Sequence, residues 1–311
     1  MSIYDKIVKA THKRVKERDK KTANLDMYST GAAIYHPTKP EEFVIGPKWW
    51  QEMTGAHGIP YGFIVQVAGN TDSGKSSAAI EFMRKAQEQD VVIILADTER
   101  KTTKTRLTQW GVDPDKILLV RGKTLEDMYQ GIDDYLETTL EVDPKAKILL
   151  IIDSLGNTVS ETEAESSIRD SIQMGRRANV NNRAFSRLLP RLGKNIAMLV
   201  INQTYDNMGS PGKTNKGGKN KDFYCVLTFQ TTRIGWLEGQ VKGEKVRKGA
   251  KVKWVVYKNH LIDNDKLLGK QYELDVTGAG MALKGEVPEK FSRIENDEMI
   301  IDEETGEIID G

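Results

Sequence analysis

The chain has 311 residues, of which 38% are hydrophobic and 29% are charged, and its formal net charge is +1. This length is sufficient for one large domain with appendages or for two modest domains. The single cysteine, Cys225, excludes an intramolecular disulfide, and the four histidines lack the spacing of zinc ligands. No segment has the apolar length of a membrane span or the apolar core of a signal peptide, so we expect a cytoplasmic protein without a membrane partner.

Charge is distributed unevenly along the chain. Residues 169–221 hold eleven Lys/Arg and two acidic residues, whereas residues 286–311 hold ten acidic residues and two basic ones. Residues 1–21 are also basic, with eight Lys/Arg and three acidic residues. This pattern predicts a surface that binds a polyanion and an acidic tail that competes for it, although solvated charged faces are the alternative.

The N-terminal segment predicts a short amphipathic helix, because Ile3, Ile7, Val8 and Val15 recur among basic residues. Residues 29–60 contain many glycines and prolines and are expected to form loops.

Seven apolar runs follow, separated by segments of helical character. They are FIVQVAG, DVVIILAD, KILLVRG, KILLIID, NIAMLVINQ, FYCVLTFQ and KVKWVVYKN. Nearly continuous runs of this kind are typical of strands that are buried on both faces. The sequence therefore predicts an α/β fold with an open, mostly parallel central sheet flanked by helices, in which later strands are antiparallel.

A phosphate-binding motif lies between the first apolar run and a predicted helix over 76–88. Its residues are Gly69, Asn70, Thr71, Asp72, Ser73, Gly74, Lys75 and Ser76, and we include the next residue, Ser77, in the expected binding set. Glycines at these positions let backbone N–H groups surround phosphate oxygens, and Lys75 supplies a charge to the β and γ phosphates. The expected ligand is a nucleoside triphosphate, and the alternative is an ordinary glycine-rich turn.

Acidic residues follow two of the apolar runs. Asp153 ends KILLIID and is expected to hold Mg²⁺ together with the Ser76 hydroxyl. Glu99 follows VVIILAD and is the candidate general base for hydrolysis, because Asp97 lies closer to the strand body. Each of these acidic residues could instead serve only as a structural cap at the end of a strand or helix.

An amide follows a third run, where NIAMLVINQ ends in Asn202 and Gln203. We expect Gln203 to hydrogen-bond the γ phosphate and to couple the nucleotide state to the basic, glycine-rich segment that follows. An amide that merely caps the strand is the alternative.

The basic region predicts contacts with a phosphate backbone. Arg183, Arg187 and Arg191 recur every fourth residue and would share one face of a helix, with Phe185 and several leucines on the other. The remaining candidates in this region are Arg176, Arg177, Lys213, Lys216, Gly217, Gly218 and Lys219. Few aromatic residues accompany them, which favours binding without base readout. These cations could instead be solvated or paired with the acidic tail.

In this order, the motifs resemble those of the RecA family of homologous-recombination ATPases. The shared features are the phosphate-binding motif, ADTE, IIDS and INQ. Phage-encoded members in particular have a segment similar to WGVDPDKILLVRGKT. Three later segments also resemble the family: KGGKNKDFYCVLTFQTTRIG, VKWVVYKNH and GKQYELDVTGAGM. The resemblance covers about residues 28–283. Apart from the first motif each match is weak, but their collinearity is a strong indication.

The resemblance implies a DNA-dependent ATPase that forms a helical filament on single-stranded DNA and pairs that strand with homologous duplex DNA. ATP and Mg²⁺ would lie between protomers, and two DNA-binding loops would fall within 162–175, which contains Arg169, and 204–222. Lys258 and His260 would act in trans on the γ phosphate, although His260 departs from the lysine of the family. The family's aromatic stacker is not evident, and Arg106 occupies its approximate place as a planar cation.

The implied organisation has three parts. Residues 1–45 form a basic helical arm and linker that contact a neighbouring protomer, residues 46–285 form the ATPase core, and residues 286–311 form an acidic, disordered tail. Two other functions stay open: a hexameric DNA helicase of the same fold, and an accessory factor of the filament that binds ATP without useful turnover.

Overall fold

The structure is a computed structural model that describes residues 2–18, 35–155, 158–165, 176–206, 213–215, 224–241, 244–261, 267–289, 300–301 and 308–309. The chain divides into two compact units, Met1–Thr38 and Lys39–Gly311. In the first unit, helix α1 spans Ile3–Arg18, which confirms the predicted N-terminal helix. Within the described residues, no helix combines the length and apolar character needed to cross a membrane.

The second unit contains six helices and fourteen strands among its described residues. The helices are α2 (Lys48–Thr54), α3 (Lys75–Gln87), α4 (Lys104–Gln109), α5 (Leu125–Val142), α6 (Glu161–Glu165) and α7 (Arg176–Leu192). The strands are β1 (Phe43–Ile45), β2 (Gly58–Pro60), β3 (Ile64–Gly69), β4 (Val92–Asp97), β5 (Ile117–Val120), β6 (Ile148–Asp153), β7 (Ile196–Asp206), β8 (Lys213–Asn215), β9 (Cys225–Val241), β10 (Glu244–Asn259), β11 (Gln271–Thr277), β12 (Gly280–Leu283), β13 (Ile300–Ile301) and β14 (Ile308–Ile309).

The central sheet has the predicted mixed topology. Its strand order is β12-β11-β10-β9-β3-β7-β6-β4-β5, with β8 paired to β7. The strands from β9 through β5 run parallel, whereas β10, β11 and β12 are antiparallel additions at one edge. All seven apolar runs lie in this sheet, so the predicted fold class is confirmed.

Two hydrophobic clusters cover the faces of the sheet, which explains why its strands are apolar throughout. On β3, Val65 and Val67 belong to one cluster and Ile64 to the other. The first cluster also contains Trp50 and Phe82, and the second contains residues of α5 and α7. Consecutive residues of one strand point to opposite faces, so a strand buried on both faces has no position for solvated side chains.

The sequence predicts loops over residues 29–60, and this prediction is wrong for the later part of that range. Helix α2 lies there with Trp49, Trp50 and Met53 fully or almost fully buried, and β1 pairs antiparallel with β2. Pro47 and Gly55, which suggested a loop, are the two caps of this helix, and Gly55 has a left-handed conformation with φ of 70°. A helix this short gives little periodicity to detect.

Glu81 on α3 is a buried carboxylate that links three parts of the core. Its side chain accepts hydrogen bonds from Trp49 Nε1 and from the backbone N of Met281, at 2.5 and 2.7 Å. Burial raises the pKa of Glu81 to about 7, although these hydrogen bonds and the charge of Arg84 act in the opposite direction.

This carboxylate is expected to make stability depend on pH. The folded protein retains the proton of Glu81 up to pH 7, whereas the unfolded chain loses it near 4.5, so the folded state binds more protons in between. We expect the free energy of unfolding to fall by about 1 to 3 kcal/mol as pH rises through this window, and Glu81→Gln to remove that dependence. Urea unfolding at several pH values measures it, with the exposed Glu137→Gln as the matched control; an unchanged slope in Glu81→Gln would contradict the assignment.

Candidate active site

The glycine-rich motif forms a tight turn between β3 and α3. A Cβ atom at Gly69 would lie 2.2 Å from the carbonyl oxygen of Thr231, so the neighbouring strand excludes any side chain. Gly74 has φ of 83° and caps α3, which begins at Lys75. The predicted strand and helix around the motif are confirmed, and the N-terminus of α3 faces the turn, where it favours an anion.

A cavity of about 380 Å³ opens over this turn. Its polar lining includes Lys75, Ser76, Glu99, Asp153 and Gln203. Its lining also includes Arg106 and the apolar or aromatic side chains of Trp236, Ala250, Val276, Ile80 and Met83. The cavity therefore combines charged groups that suit phosphates with apolar side chains that suit a weakly polar group.

Lys75 projects from the start of α3 into the cavity. Its Nζ donates to the backbone oxygen of Asn70 at 2.5 Å, so the ammonium is held inside the turn. Burial lowers the pKa of Lys75, while the charges of Asp153 and Glu99 act to raise it. The lysine is thus a largely desolvated cation at the position where a bound phosphate would lie.

Ser76 and Asp153 bring two oxygen atoms together beside Lys75. The Ser76 hydroxyl donates to the Asp153 carboxylate, and burial raises the pKa of Asp153 although this hydrogen bond and Lys75 oppose the change. Oxygen donors of this kind fit Mg²⁺, which commonly takes its remaining ligands from phosphates and water. Within the described residues, no group of three or more His, Cys, Asp or Glu could hold a metal alone.

Glu99 lines the same cavity, where it interacts electrostatically with Lys75 and Asp153, and hydrogen bonds hold it from several sides. Its Oε1 accepts hydrogen bonds from Ser154 Oγ at 2.7 Å and from Gln203 Nε2, and its Oε2 pairs with Lys101. Burial acts to raise the pKa of Glu99, but these hydrogen bonds and the Lys101 charge outweigh it, so the pKa is lowered. Glu99 is therefore an oriented, ionised carboxylate at neutral pH.

Asp97, the other acidic residue of this segment, is buried and makes contacts that indicate a structural role. It is 2% exposed, and its carboxylate accepts from Arg121 Nη2 at 3.1 Å and from the backbone N of Lys101 at 3.4 Å. These contacts hold the chain that leads to Glu99.

The end of β7 connects the site to the segment that follows it. Gly69 and Gln203 are paired in the register of β3 and β7, which places the Gln203 side chain next to Glu99. Thr204 Oγ1 donates to the Asn70 side chain at 3.1 Å. Two consecutive residues of β7 thus contact the acidic residue and the turn, at the start of the range predicted for the second DNA-binding loop.

Strand β9 makes contacts with the turn that the sequence did not indicate. The hydroxyls of Ser73 and Thr231 lie 2.6 Å apart, and Arg233 Nη1 donates to Asp72 at 2.7 Å. On the neighbouring β10, Trp254 Nε1 donates to the Ser73 backbone oxygen at 3.2 Å. These residues lie more than 150 positions after the turn, so only the strand pairing brings them together.

The lining of the cavity includes Arg106 and an aromatic residue that sequence reasoning missed. Arg106 Nη2 donates to Ser77 Oγ at 3.1 Å, and burial lowers the pKa of its guanidinium, whereas the charges of Asp153 and Asp72 act to raise it. The aromatic residue is Trp236 of β9. The one feature of the sequence that could have indicated this residue is a tryptophan within a segment of both polar and apolar residues.

Lys258 and His260 lie apart from the cavity of their own chain. Lys258 belongs to the last part of β10, and His260 follows the strand, where its backbone N donates to the oxygen of Val226 at 2.8 Å. Neither residue lines the cavity described above. Their predicted action in trans stays a prediction.

The basic helix α7 has the expected two faces, but several of its cations are paired. Phe185, Leu188 and Leu192 are buried. Arg191 Nη1 and Arg187 Nη2 reach Asp133 of α5 at 2.8 and 3.5 Å.

A second acidic partner lies near the start of this helix. Arg177 Nε donates to Glu163 of α6 at 2.9 Å, and Glu163 also accepts from the backbone N of Ser160 at 2.8 Å. Of the other predicted DNA-binding residues, Arg169, Lys216, Gly217, Gly218 and Lys219 lie outside the described residues, and the side chains of Arg176 and Lys213 are not described.

The strand, glycine-rich turn and helix define a P-loop fold, and comparison with known proteins assigns the family. A family model described as the RecA N-terminal domain matches residues 18–268. The chain belongs to the RecA family.

Its relatives include proteins named Protein RecA in several bacteria. The chain is 27% identical to that of Ureaplasma parvum serovar 3 over 216 residues, covering 68% of this chain and 61% of the relative. It is 30% identical to that of Sulfurovum sp. over 239 residues, covering 75% and 65%, and 28% identical to that of Aquifex aeolicus over 217 residues, covering 67% and 58%. The chain thus spans less than two thirds of the length of each of these relatives.

Proposed function

We propose that this protein is an ATP-dependent recombinase. It polymerises as a helical filament on single-stranded DNA, hydrolyses ATP in a DNA-dependent manner and promotes pairing and strand exchange with homologous duplex DNA. The observation that carries the proposal is the contact of Gln203 with Glu99, because it joins the candidate general base to the start of a basic segment. Membership of the RecA family supports the same reading.

ATP would bind with its phosphates in the turn from Gly69 to Ser77. Backbone N–H groups and Lys75 would hold the β and γ phosphates, and Ser76 and Asp153 would hold Mg²⁺, which neutralises phosphate charge and orients it. This proposal is supported by the cavity over the turn and by the desolvated state of Lys75. Arg106 also lines the cavity, and it would contact the base as a planar cation.

Glu99 would orient a water molecule for attack on the γ phosphate and accept its proton. A general base must be ionised and correctly aimed, and the lowered pKa and the hydrogen bonds from Ser154 and Gln203 meet both requirements. Cations of the neighbouring protomer, Lys258 and protonated His260, would approach the same phosphate across the interface. The separation of both residues from their own cavity is consistent with that role.

Gln203 would couple this chemistry to DNA. When the γ phosphate departs, the amide can exchange its hydrogen-bond partners, and the chain after β7 moves with it. Thr204 provides a second connection through its hydrogen bond to Asn70. The predicted loops over 162–175 and 204–222 would then alternate between DNA-bound and released states.

DNA would be held through its phosphate backbone by cations of α7 and of both loops. Arg177, Arg187 and Arg191 already have carboxylate partners in Glu163 and Asp133. Phosphates would therefore compete with intramolecular ion pairs, which adds to the salt sensitivity expected of such binding.

The proposal is tested by ATPase assays with and without single-stranded DNA, together with negative-stain images. Open helical filaments with DNA-stimulated turnover are expected. Closed rings would indicate the hexameric helicase instead, and filaments without turnover would indicate the accessory factor.

The acidic C-terminal segment yields a further prediction about DNA affinity. Glu286 and Glu289 form ion pairs with Lys48, Arg84 and Lys85 of the core, so a truncation should begin after Glu289. We expect deletion of 290–311 to strengthen binding to single-stranded DNA several-fold at moderate salt, because a competing polyanion is removed. Fluorescence anisotropy with a labelled oligonucleotide measures the affinity; an unchanged value at every salt concentration would show that the tail does not compete.

A further inference from the structure

Lys101 is a basic residue of the cavity lining that has no role in the function proposed above. It lines the cavity together with Lys75 and Glu99. Its side chain is 70% exposed, and its ammonium pairs with Oε2 of Glu99, whose side chain is 10% exposed. The ammonium also interacts electrostatically with Asp153 and Asp72. Lys101 therefore places a positive charge beside the candidate general base and the carboxylate expected to hold Mg²⁺.

The backbone around Lys101 is restrained, whereas its side chain has room to move. The backbone N of Lys101 donates to Asp97 Oδ1 at 3.4 Å, and Arg121 Nη2 donates to the backbone oxygen of the following residue at 3.5 Å. Arg100, the preceding residue, has φ of 53°, a left-handed conformation that is costly for a residue with a side chain. This segment therefore keeps Lys101 next to Glu99, while the exposed, flexible side chain can change partners.

The ion pair occupies the candidate general base. Oε1 of Glu99 accepts hydrogen bonds from Ser154 and Gln203, and Oε2 pairs with Lys101. An ammonium at Oε2 competes with a water molecule for that oxygen, so it opposes proton transfer from the water. If Lys101 leaves, Glu99 keeps both hydrogen bonds to Oε1 and stays oriented. A stronger anion can therefore take the lysine without leaving the carboxylate unpaired.

We infer that Lys101 is a second phosphate-binding cation beside Lys75, and that it exchanges Glu99 for the γ phosphate when a triphosphate binds. This inference rests on the proposed function, because Glu99 marks the position of the γ phosphate only if it is the general base. A terminal phosphate carries more negative charge than a carboxylate and presents three acceptor oxygens. The same exchange frees Oε2 of Glu99, so binding of the substrate releases the base that acts on water.

This role makes Lys101 a residue that distinguishes ATP from ADP, because ADP has no γ phosphate. Calorimetry on the full chain without DNA compares ADP with ATPγS, a slowly hydrolysed analogue of ATP, each with Mg²⁺. Lys101→Met is expected to weaken ATPγS binding roughly tenfold, since one charged hydrogen bond to the phosphate is lost, and to change ADP binding less than about twofold. A lysine that only supports the structure would affect both nucleotides equally.

Two further variants complete this comparison. Lys101→Arg keeps the positive charge and should retain ATPγS affinity within about threefold of wild type. Lys104→Met is the matched control, because Lys104 is an exposed lysine at the start of α4 and lies outside the cavity lining described above. It should change neither affinity. Thermal unfolding of each variant confirms that a loss of binding does not reflect a loss of structure.

A second comparison separates a contact with phosphate from an effect through Glu99. In Glu99→Gln the side chain has no charge to hold Lys101. Lys101→Met should therefore weaken ATPγS binding in that background by at least the factor seen in wild type. A loss that disappears in the Glu99→Gln background would show that Lys101 acts only by positioning Glu99, and it would overturn the inference.

The outcomes also separate this inference from the proposed function. Unchanged ATPγS affinity in Lys101→Met, or an equal loss for ATPγS and ADP, would overturn the inference and leave the proposed function standing. Failure of the unmodified chain to bind either nucleotide would overturn the proposed function and the inference with it.

Discussion

Lys75→Ala is expected to weaken ATP binding roughly 100-fold and to reduce turnover to background, because a charged hydrogen-bond donor to the phosphates is lost. The wild-type ammonium is buried beside Asp153 and Glu99. Without it, Asp153 and Glu99 would lose the charge of a buried neighbouring cation, which increases their repulsion of the triphosphate. Equilibrium binding of ATP and steady-state phosphate release measure both effects.

The matched control for this replacement is Lys85→Ala on the same helix. Lys85 lies outside the cavity and pairs with Glu88 and Glu289, so its loss removes surface ion pairs only. We expect near-normal ATP affinity in this control. A folded Lys75→Ala variant with wild-type ATP affinity would remove the glycine-rich turn from its assigned role.

Glu99→Gln is expected to separate ATP binding from ATP hydrolysis. The replacement keeps the size of the side chain and its ability to accept from Ser154 or Gln203, but it removes the base. We expect turnover to fall at least about 100-fold while ATP affinity stays within a few-fold of wild type. Single-turnover phosphate release alongside equilibrium ATP binding distinguishes the two quantities.

The pH dependence of turnover provides a second readout for Glu99. Its pKa lies below the ordinary value of 4.5, so the ionised form persists at neutral and mildly acidic pH. Protonation of Glu99 should therefore abolish hydrolysis only as pH falls below 4.5, and the measurement applies within the pH range in which the protein stays folded. Normal turnover in Glu99→Gln would assign the base elsewhere, and Glu137→Gln serves as the surface control.

The parts of the site that follow single strands could be predicted from the sequence. Glu99, Asp153 and Gln203 each come directly after an apolar run, and parallel strands bring their carboxyl ends to one edge of the sheet. The phosphate-binding motif could also be predicted, because its residues are consecutive in the sequence. Its glycines are required by the backbone approach of Thr231 and by the left-handed conformation at Gly74.

The parts that depend on distant pairing could not be predicted. Trp236 lines the cavity and Arg233 reaches Asp72 of the turn only because β9 pairs with β3 in a particular register, and periodicity within β9 does not reveal that partner. Asp133 lies on α5, so its pairing with Arg187 and Arg191 depends on how two helices pack. Such contacts follow from tertiary structure and leave no local signal.

The ion pairs of α7 also change what the charge distribution along the sequence predicts about DNA binding. Basic residues of α7 were expected to be available to DNA, yet Glu163 and Asp133 hold three of them. The arginine members of these pairs are at least 37% exposed, whereas Glu163 and Asp133 are at most 14% exposed, so a phosphate group could reach the arginines but would have to replace largely buried carboxylates as their partners. If this surface binds DNA as proposed, we expect the binding to require an exchange of partners.

The most direct test of the account is the size of the assembly in solution when the chain is given ATP, Mg²⁺ and a single-stranded oligonucleotide. Analytical ultracentrifugation should show large, nucleotide-dependent complexes that contain DNA and that dissociate as ATP is hydrolysed. A chain that stays monomeric under these conditions would contradict the claim that nucleotide bound between adjoining copies organises the DNA-binding loops.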